Sequence, residues 1–396
     1  MNIIFLAPFG IRPKGTVIAR MLPLAVALQE LGHQVTIVAP PYTNPEDSGR
    51  EELLRGVRLR NVRLGPGGRA LSAPVVAWRM YRAAMTEKPD LVHLFKPKGY
   101  GGLALLLIKL LRRKVRVCVD TDDLEGKGGM NERHAYSSLE KRLYAWQESS
   151  LLPMADGVTA ASRALEQLVL ELGVPAGRIM YLPNCVDPLP LGDRSGTRQR
   201  LCIGDDTPLV LLYTRFFEFD QHLLYELLRE ISRRSPACRL LVVGRGAKGE
   251  ELALQDAAKK SGFSDRLLMA GWVEAAEIPG FLAAADVAIY PFRDDLVNRT
   301  KCPAKLTELM LAERAVVADR VGQLAEYIRD GKSGILCTPG DWREMADRVV
   351  ELIENPDLRR SLGSGARRRV LDDFAWGAAA ARLEEFYSNV LVRCNI

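Results

Sequence analysis

The chain has 396 residues, of which 47% are hydrophobic and 26% charged, and a formal net charge of +6. These are ordinary values for a soluble globular protein, and the length accommodates two domains with separate cores. The modest positive charge is spread along the chain, which favours phosphate-bearing small molecules or an anionic membrane surface over nucleic acid. Seven cysteines, scattered and without a C-x-x-C pair, argue for reduced thiols in a cytoplasmic protein and against a disulfide scaffold or a zinc site. The opening run MNIIFLAPFG lacks the basic start and cleavage site of a signal peptide. The apolar run 103–111 is about half the length of a membrane span, so any membrane contact is expected to be peripheral, at the inner face.

In chain order, residues 2–7 read as a buried strand, 21–31 as a helix and 34–39 as the next strand, the building block of a parallel α/β sheet. Gly15 and Thr16, after Lys14, then lie at the carboxyl edge of the first strand, where such sheets bind ligands. Alternation over 57–62 suggests an exposed or edge strand, followed by a helix near 75–87 and a strand ending at Phe95. The helix 103–113 leads into a basic cluster made of its own Arg112 and Arg113 with Lys114 and Arg116. That pattern suits either a membrane interface or, more commonly, a buried helix whose basic end is favoured by its own dipole.

The strand 115–120 runs into an acidic loop holding Asp120, Asp122, Asp123 and Glu125. Four acids in six residues repel one another, so a merely structural loop has little reason to collect them. Their spacing misses the calcium-loop pattern, and a metal is the lesser reading. We expect Asp122 and Asp123 to bind hydroxyl groups of a substrate or to act as a base on it, with Asp120, Glu125 and His134 as further substrate contacts. A helix from 138 to 152 and a strand over 157–162 follow, with Ser162 suited to cap the next helix. The polar run rich in Pro, Gly and Arg near 187–207 reads as an interdomain linker.

The second half opens with a strand ending at Arg215, then a strand with the Gly-rich turn Gly244-Arg245-Gly246, and further strands near 267–273 and 286–291. A G-x-G turn alone is weak evidence of nucleotide binding. Beyond it, Pro303 suits a first helical position. The free N–H groups at that start, around Ala304, together with Arg299, Lys301 and Lys305, would form an anion site that fits a diphosphate. Glu308 lies on the helix so begun, and 315–318 reads as a buried strand straight after it.

The order of anion site, Glu308, helix, strand and the acidic position Glu326 resembles the donor-binding core of glycosyltransferase family 4, as do the L-x-x-x-G-H-x-V stretch around Gly32-His33 and the run at 179–187, similar to I-x-x-I-P-N-G-V-D with Cys185 where glycine is usual. The resemblance covers nearly the whole chain. It implies an α/β GT-B fold: two Rossmann-like parallel-sheet domains, 1–187 for the acceptor and 208–375 for the donor, facing each other across a deep cleft. A linker, 188–207, would join them, and a last helix, 376–396, would cross back to the first domain. The implied activity is retaining transfer of a hexosyl group from a nucleotide diphosphate sugar to a hydroxyl of a glycan, lipid-linked or small-molecule acceptor, with no metal and no other cofactor. By the same resemblance Arg215 grips the diphosphate, Glu308 holds the ribose, and backbone near Gly244, Gly246, Trp272 and Val273 cradles the nucleotide.

The chain also departs from the family pattern. Thr300 stands where the family has the first of two glutamates, and Asp220 and Gln221 stand where a lysine is usual, leaving Lys301, Arg299 or Lys305 to replace it. Two rival readings stand beside this one: a nucleotide-sugar epimerase of the same fold, which would need no acceptor, and a catalytically idle binding module, which those departures suggest.

Overall fold

The computed structural model describes residues 1–12, 15–66 and 69–392, without the side chains of Arg69 and Ala70. Lys14 and Cys394 therefore lie outside the described residues. The chain divides into two compact units: Met1–Cys185 with Thr300–Cys302 and Trp376–Ile396, and Val186–Arg299 with Pro303–Ala375.

The first unit holds the strands β1 Asn2–Leu6, β2 Gln34–Ala39, β3 Glu51–Leu54, β4 Val57–Asn61, β5 Leu91–Phe95, β6 Arg116–Thr121, β7 Gly157–Ala160 and β8 Ile179–Tyr181. They form one sheet in the order β3-β4-β2-β1-β5-β6-β7-β8, parallel except where β3 meets β4. Apart from β3 and β4, near-continuous apolar runs dominate these strands, and β5 is buried at every position, as expected of a sheet covered by helices on both faces. The alternating strand at 57–61 is not at the edge. It pairs with β2 on one side, while β3, joined to it through Arg55 and Gly56 in the left-handed region (φ 49° and 83°), takes the edge.

The second unit contributes β9 Leu209–Tyr213, β10 Arg239–Val243, β11 Leu267–Gly271, β12 Val287–Tyr290, β13 Ala315–Asp319 and β14 Ile335–Cys337. Their order is β11-β10-β9-β12-β13-β14, and every pairing is parallel. The amphipathic helices Gln221–Arg234 and Trp342–Glu354 bury Leu224, Leu228, Met345 and Val349 against this sheet. The polar run expected to be a linker instead carries a helix, Arg194–Arg200, built into the second unit. Its fully buried Arg198 donates to the carbonyls of Ala284 and Gly204, both at 2.7 Å, so its charged head replaces the water those carbonyls would need.

The last helix, Trp376–Val392, belongs to the first unit and buries Ala379, Ala380, Leu383 and Tyr387 there. The Tyr387 hydroxyl lies 2.6 Å from Nδ1 of His93 on β5, and Glu384 lies 3.0 Å from Nε2 of His33. Burial lowers His93 to about 3, so it stays a neutral core residue.

In each sheet the strand order reverses once, between β1 and β5 and between β9 and β12. The carboxyl ends of strands at such a reversal are where open α/β sheets leave room for a ligand. Here those ends carry Lys96 after β5 and Tyr213, Thr214 and Arg215 after β9.

Candidate functional site

At the reversal of the first sheet the backbone leaves β5 through Lys96 at φ 58°. A left-handed conformation is unfavourable for a long side chain and persists only when its surroundings impose it. The surroundings are the acidic loop that follows β6. The Lys96 ammonium lies 2.8 Å from Asp122, 2.6 Å from Asp123 and 3.0 Å from Glu125. Lys98 takes the other oxygen of Glu125 at 2.7 Å and Asn131 at 3.1 Å.

The repulsion expected among four acids is therefore relieved by two buried lysines. Burial alone would lower the Lys96 ammonium, but Asp122, Asp123 and Glu125 together hold it well above its usual range. Burial raises Glu125, and Lys96 with Lys98 overcome this to hold it at about 2. Asp123 is raised, by burial first, because Lys96 is shared with the neighbouring carboxylates. Thr16, just before the π-helical turn Val17–Met21, donates to Asp122 at 3.1 Å.

Two of the four acids do not have the role expected for them. Asp120 is fully buried and takes a two-pronged contact from Arg20, at 2.6 and 2.8 Å, as well as a 2.5 Å hydrogen bond from Thr159. It anchors the helical segment after β1 and is closed to an acceptor. Glu125, enclosed by the two lysines, is likewise structural. Asp122 and Asp123 remain at the strand end, and Asp123 is the more accessible. Beneath the loop, buried Glu148 accepts from the backbone N–H groups of Glu125 (2.9 Å) and Gly126 (2.6 Å), and burial pushes it up to about 7. His134 is exposed, its ring 5.4 Å from Tyr136.

In the second unit, β9 ends at Tyr213, whose hydroxyl donates to Glu308 and is held well above the usual phenol range by burial and then by that carboxylate. Lys305 lies over the Tyr213 ring, its Nζ 4.2 Å from the centroid. Arg215 is exposed, with its charge within reach of both Tyr213 and Tyr290. The turn that presents it is tight: Phe216 sits at φ 68° and its N–H donates to Thr214 Oγ1 at 2.7 Å. Lys305 and Glu308 stand on the helix Ala304–Leu311, which Pro303 precedes at the N-cap in an extended conformation, one position earlier than expected. Two cations, a tyrosine-braced carboxylate and a helix start are thus gathered at one end of the sheet, an arrangement suited to a nucleoside diphosphate.

Other expected residues fall elsewhere. Arg299 is held by Asp294 at 2.5 and 2.8 Å and is largely solvent-exposed, so it does not complete the anion site. Thr300 is buried and its carbonyl accepts from Ser162 at 3.0 Å, while Cys302 Sγ accepts from the Asn184 N–H at 3.2 Å. Half-buried Lys301 lies between these two fixed points, with the first unit.

Asp220, where a lysine is usual, caps the helix Gln221–Arg234 by accepting from His222 and Leu223, and Gln221 donates to the Phe216 carbonyl at 2.6 Å. Gly244 is required, because at φ 130° a side chain would collide with the Thr214 carbonyl. At the next glycine, the Gly246 N–H already donates to Glu251 at 3.0 Å, and that of Lys248 to Glu250 at 2.7 Å. Arg245 extends into solvent, 3.6 Å from Glu251. Trp272 is 62% exposed and Val273 half-buried, just past β11. Lys96, Lys98, Arg20 and Tyr213 do not figure among the site residues expected from sequence. Only the two lysines leave a local signal there, as the K-P-K run at 96–98.

A model of the "Glycosyl transferase 4-like domain" matches residues 15–185, and one of "Glycosyl transferases group 1" matches residues 207–355. The chain is 27% identical, over 90% of each sequence, to a GDP-mannose-dependent alpha-(1-6)-phosphatidylinositol monomannoside mannosyltransferase of Mycolicibacterium smegmatis. It is 24% identical to a glycogen synthase of Mycobacterium tuberculosis, over 92% of this chain and 88% of that one. Among solved structures, sucrose-phosphate synthase of Thermosynechococcus elongatus superposes with a TM-score of 0.78 at 20% identity, over 99% of this chain and 100% of the other. Anabaena HepE with UDP and glucose superposes with a TM-score of 0.75 at 21% identity, over 98% of this chain and 100% of that one. Two domain matches in this order, on two parallel sheets of this kind, place the chain in glycosyltransferase family 4, with the GT-B fold.

Proposed function

We propose that this chain transfers a hexosyl group from a nucleotide diphosphate sugar bound at the Tyr213, Arg215, Lys305 and Glu308 group to an acceptor hydroxyl received at Asp122 and Asp123. The observation that carries the reading is the gathering of Arg215, Lys305 and the tyrosine-braced Glu308 at the carboxyl end of β9, where the sheet order reverses. As the bond to the sugar breaks, negative charge grows on the departing diphosphate. Arg215, Lys305 and the N–H groups at the start of Ala304–Leu311 are fixed in advance to receive it, so stabilisation is greatest in the transition state. Such cations do the work a divalent ion does elsewhere, and we propose that no metal is needed. Glu308, oriented by the Tyr213 hydroxyl, accepts from the ribose hydroxyls of the donor.

On the other unit Asp123, raised by burial and reachable from solvent, accepts the acceptor's hydroxyl hydrogen, with Asp122 and Lys96 holding it in place. Retention of configuration follows from family membership.

A thermal shift with UDP, GDP, ADP, TDP and CDP, each with and without magnesium, tests the donor site. Ligand at about a hundred times its dissociation constant stabilises the folded state by roughly 2.7 kcal/mol. The reading requires a shift with at least one nucleotide, unchanged by magnesium and lost in Arg215→Ala. A nucleotide shift that survives both Arg215→Ala and Lys305→Ala would remove its basis.

A further inference from the structure

The helix Arg69–Thr86 covers the first sheet with Val76, Met80 and Ala84, which are fully buried. Its opposite side carries Leu71, Val75, Trp78 and Arg82, spaced so that they form one stripe. Leu71 is 82% exposed, Val75 41% and Trp78 45%, an unusual cost for a helix whose buried side is complete. The neighbouring helix Gly99–Leu111 packs against it and ends in Leu110 and Leu111, 64% and 49% exposed. The two ends are tied together: Trp78 stacks on Tyr81 with centroids 5.1 Å apart, and the Tyr81 hydroxyl accepts from Arg112 at 3.3 Å.

Arg112, Arg113 and Lys114 follow directly, all exposed. Among the described residues, none of Arg82, Arg113 and Lys114 has an acidic partner. The acids nearest in sequence are engaged elsewhere, Glu87 by Arg58 and Arg60 and Asp120 by Arg20, and Asp156 is held by Lys109 and Arg116. The two packed helices therefore carry five exposed apolar side chains together with four exposed positive charges.

We infer that this face, Leu71, Val75 and Trp78 with Leu110 and Leu111 beside the basic run at 112–114, docks the chain on an anionic lipid bilayer surface. Leu71, Val75 and Leu110 would enter the boundary between headgroups and acyl chains, Trp78 would sit at headgroup level, and Arg82, Arg112, Arg113 and Lys114 would lie against lipid phosphates. Charge decides between occupants. A second copy on the same face would bring two basic runs together, and a nucleic acid would leave the apolar stripe in water. No helix among the described residues is long and apolar enough to cross a membrane, so the contact is a surface one. The inference is independent of the catalytic reading, and its test does not measure turnover.

The full chain is mixed with vesicles of phosphatidylcholine alone or with phosphatidylglycerol, and bound protein is read after sedimentation. The chain should bind the mixed vesicles and be released by salt. Arg113→Ser with Lys114→Ser should weaken partition roughly 30-fold, and Leu71→Ser with Trp78→Ser at least about tenfold. Leu252→Ser, at a leucine of the second unit that is 63% exposed, should change nothing. Circular dichroism and a melting curve establish that each variant is folded. Equal binding to both vesicle types, absence of binding to either, or binding unaffected by both double variants would each overturn the inference. So would a concentration-dependent dimer, seen by sedimentation velocity, that Leu71→Ser with Trp78→Ser abolishes. A nucleotide shift in the same preparation is read separately, so either claim can fail without the other.

Discussion

Replacing Lys96 by methionine keeps most of the volume of the side chain and removes the charge on which three carboxylates converge. After the change Glu125 still has Lys98 at 2.7 Å and Asp122 still accepts from Thr16 at 3.1 Å, so Asp123 is left with the least compensation. Removing one partner of a buried ion pair costs about 3–5 kcal/mol, because the other charge stays desolvated. At 2–4 °C for each kcal/mol, that is a fall on the order of 10 °C in the melting temperature of the first unit at neutral pH.

The sign of the pH dependence separates this cause from simple loss of packing. In the wild-type chain Glu125 is depressed from 4.5 to about 2, so its contribution, on the order of 3 kcal/mol, is present above 4.5 and is lost as pH falls toward 2. Without Lys96 the buried carboxylates favour their neutral form, so the folded variant binds extra protons and regains stability as pH falls from 7 toward 5. Melting curves of both proteins between pH 5 and 8, followed by a probe in the first unit, should converge on the acid side. A deficit that is constant with pH, or smaller than about 1 kcal/mol, would show that the three carboxylates do not depend on Lys96.

Other changes test other parts of the structure. Glu148 is raised to about 7 from 4.5, so the folded state holds its proton more tightly and stability falls as pH rises from 4.5 to 7; Glu148→Gln should flatten the melting profile in that window, and an unchanged slope would refute the assignment. Arg20→Met should destabilise the first unit by about 3–5 kcal/mol through the isolated charge of Asp120, and a second change, Asp120→Asn, should recover part of it in urea unfolding. Lys305→Ala should lower kcat by roughly 10²–10³ if that ammonium faces the leaving diphosphate, with a smaller effect on donor affinity; a change in KM alone would count against the role.

The alternation of apolar strands and helices was legible in the chain because both sheets are buried and, apart from the β3–β4 pair, parallel, so most strands announce themselves as short apolar runs. The helix start after Pro303 and the cap at Ser162 were legible for the same local reason. The edge strand Glu51–Leu54 was not, since its alternation is acidic and weak and its place depends on a turn through Arg55 and Gly56. The site divides in the same way. Four acids in one loop are visible in sequence, but the lysines that hold them leave a different strand, and Asp120 is separated from its arginine by 100 residues. Whether such an acid faces a substrate or a buried guanidinium is a long-range fact that spacing does not encode. Asp220 illustrates the converse: read by motif it is a missing cation, whereas read by capping chemistry it is a favourable helix start.

The glycine turn after β10 has a consequence for what can enter it. Its Gly246 N–H is already taken by Glu251, and Glu250 holds the N–H of Lys248. The turn thus carries its own anions. A phosphate approaching that N–H meets like charge at close range and gains nothing from the backbone. A neutral oxygen, such as the carbonyl of a nucleobase, need only displace Glu251, which keeps Arg245 at 3.6 Å as a partner in solvent. Should a nucleotide reach this turn, these contacts would disfavour its diphosphate end and favour its base, and so would set which way round it lies.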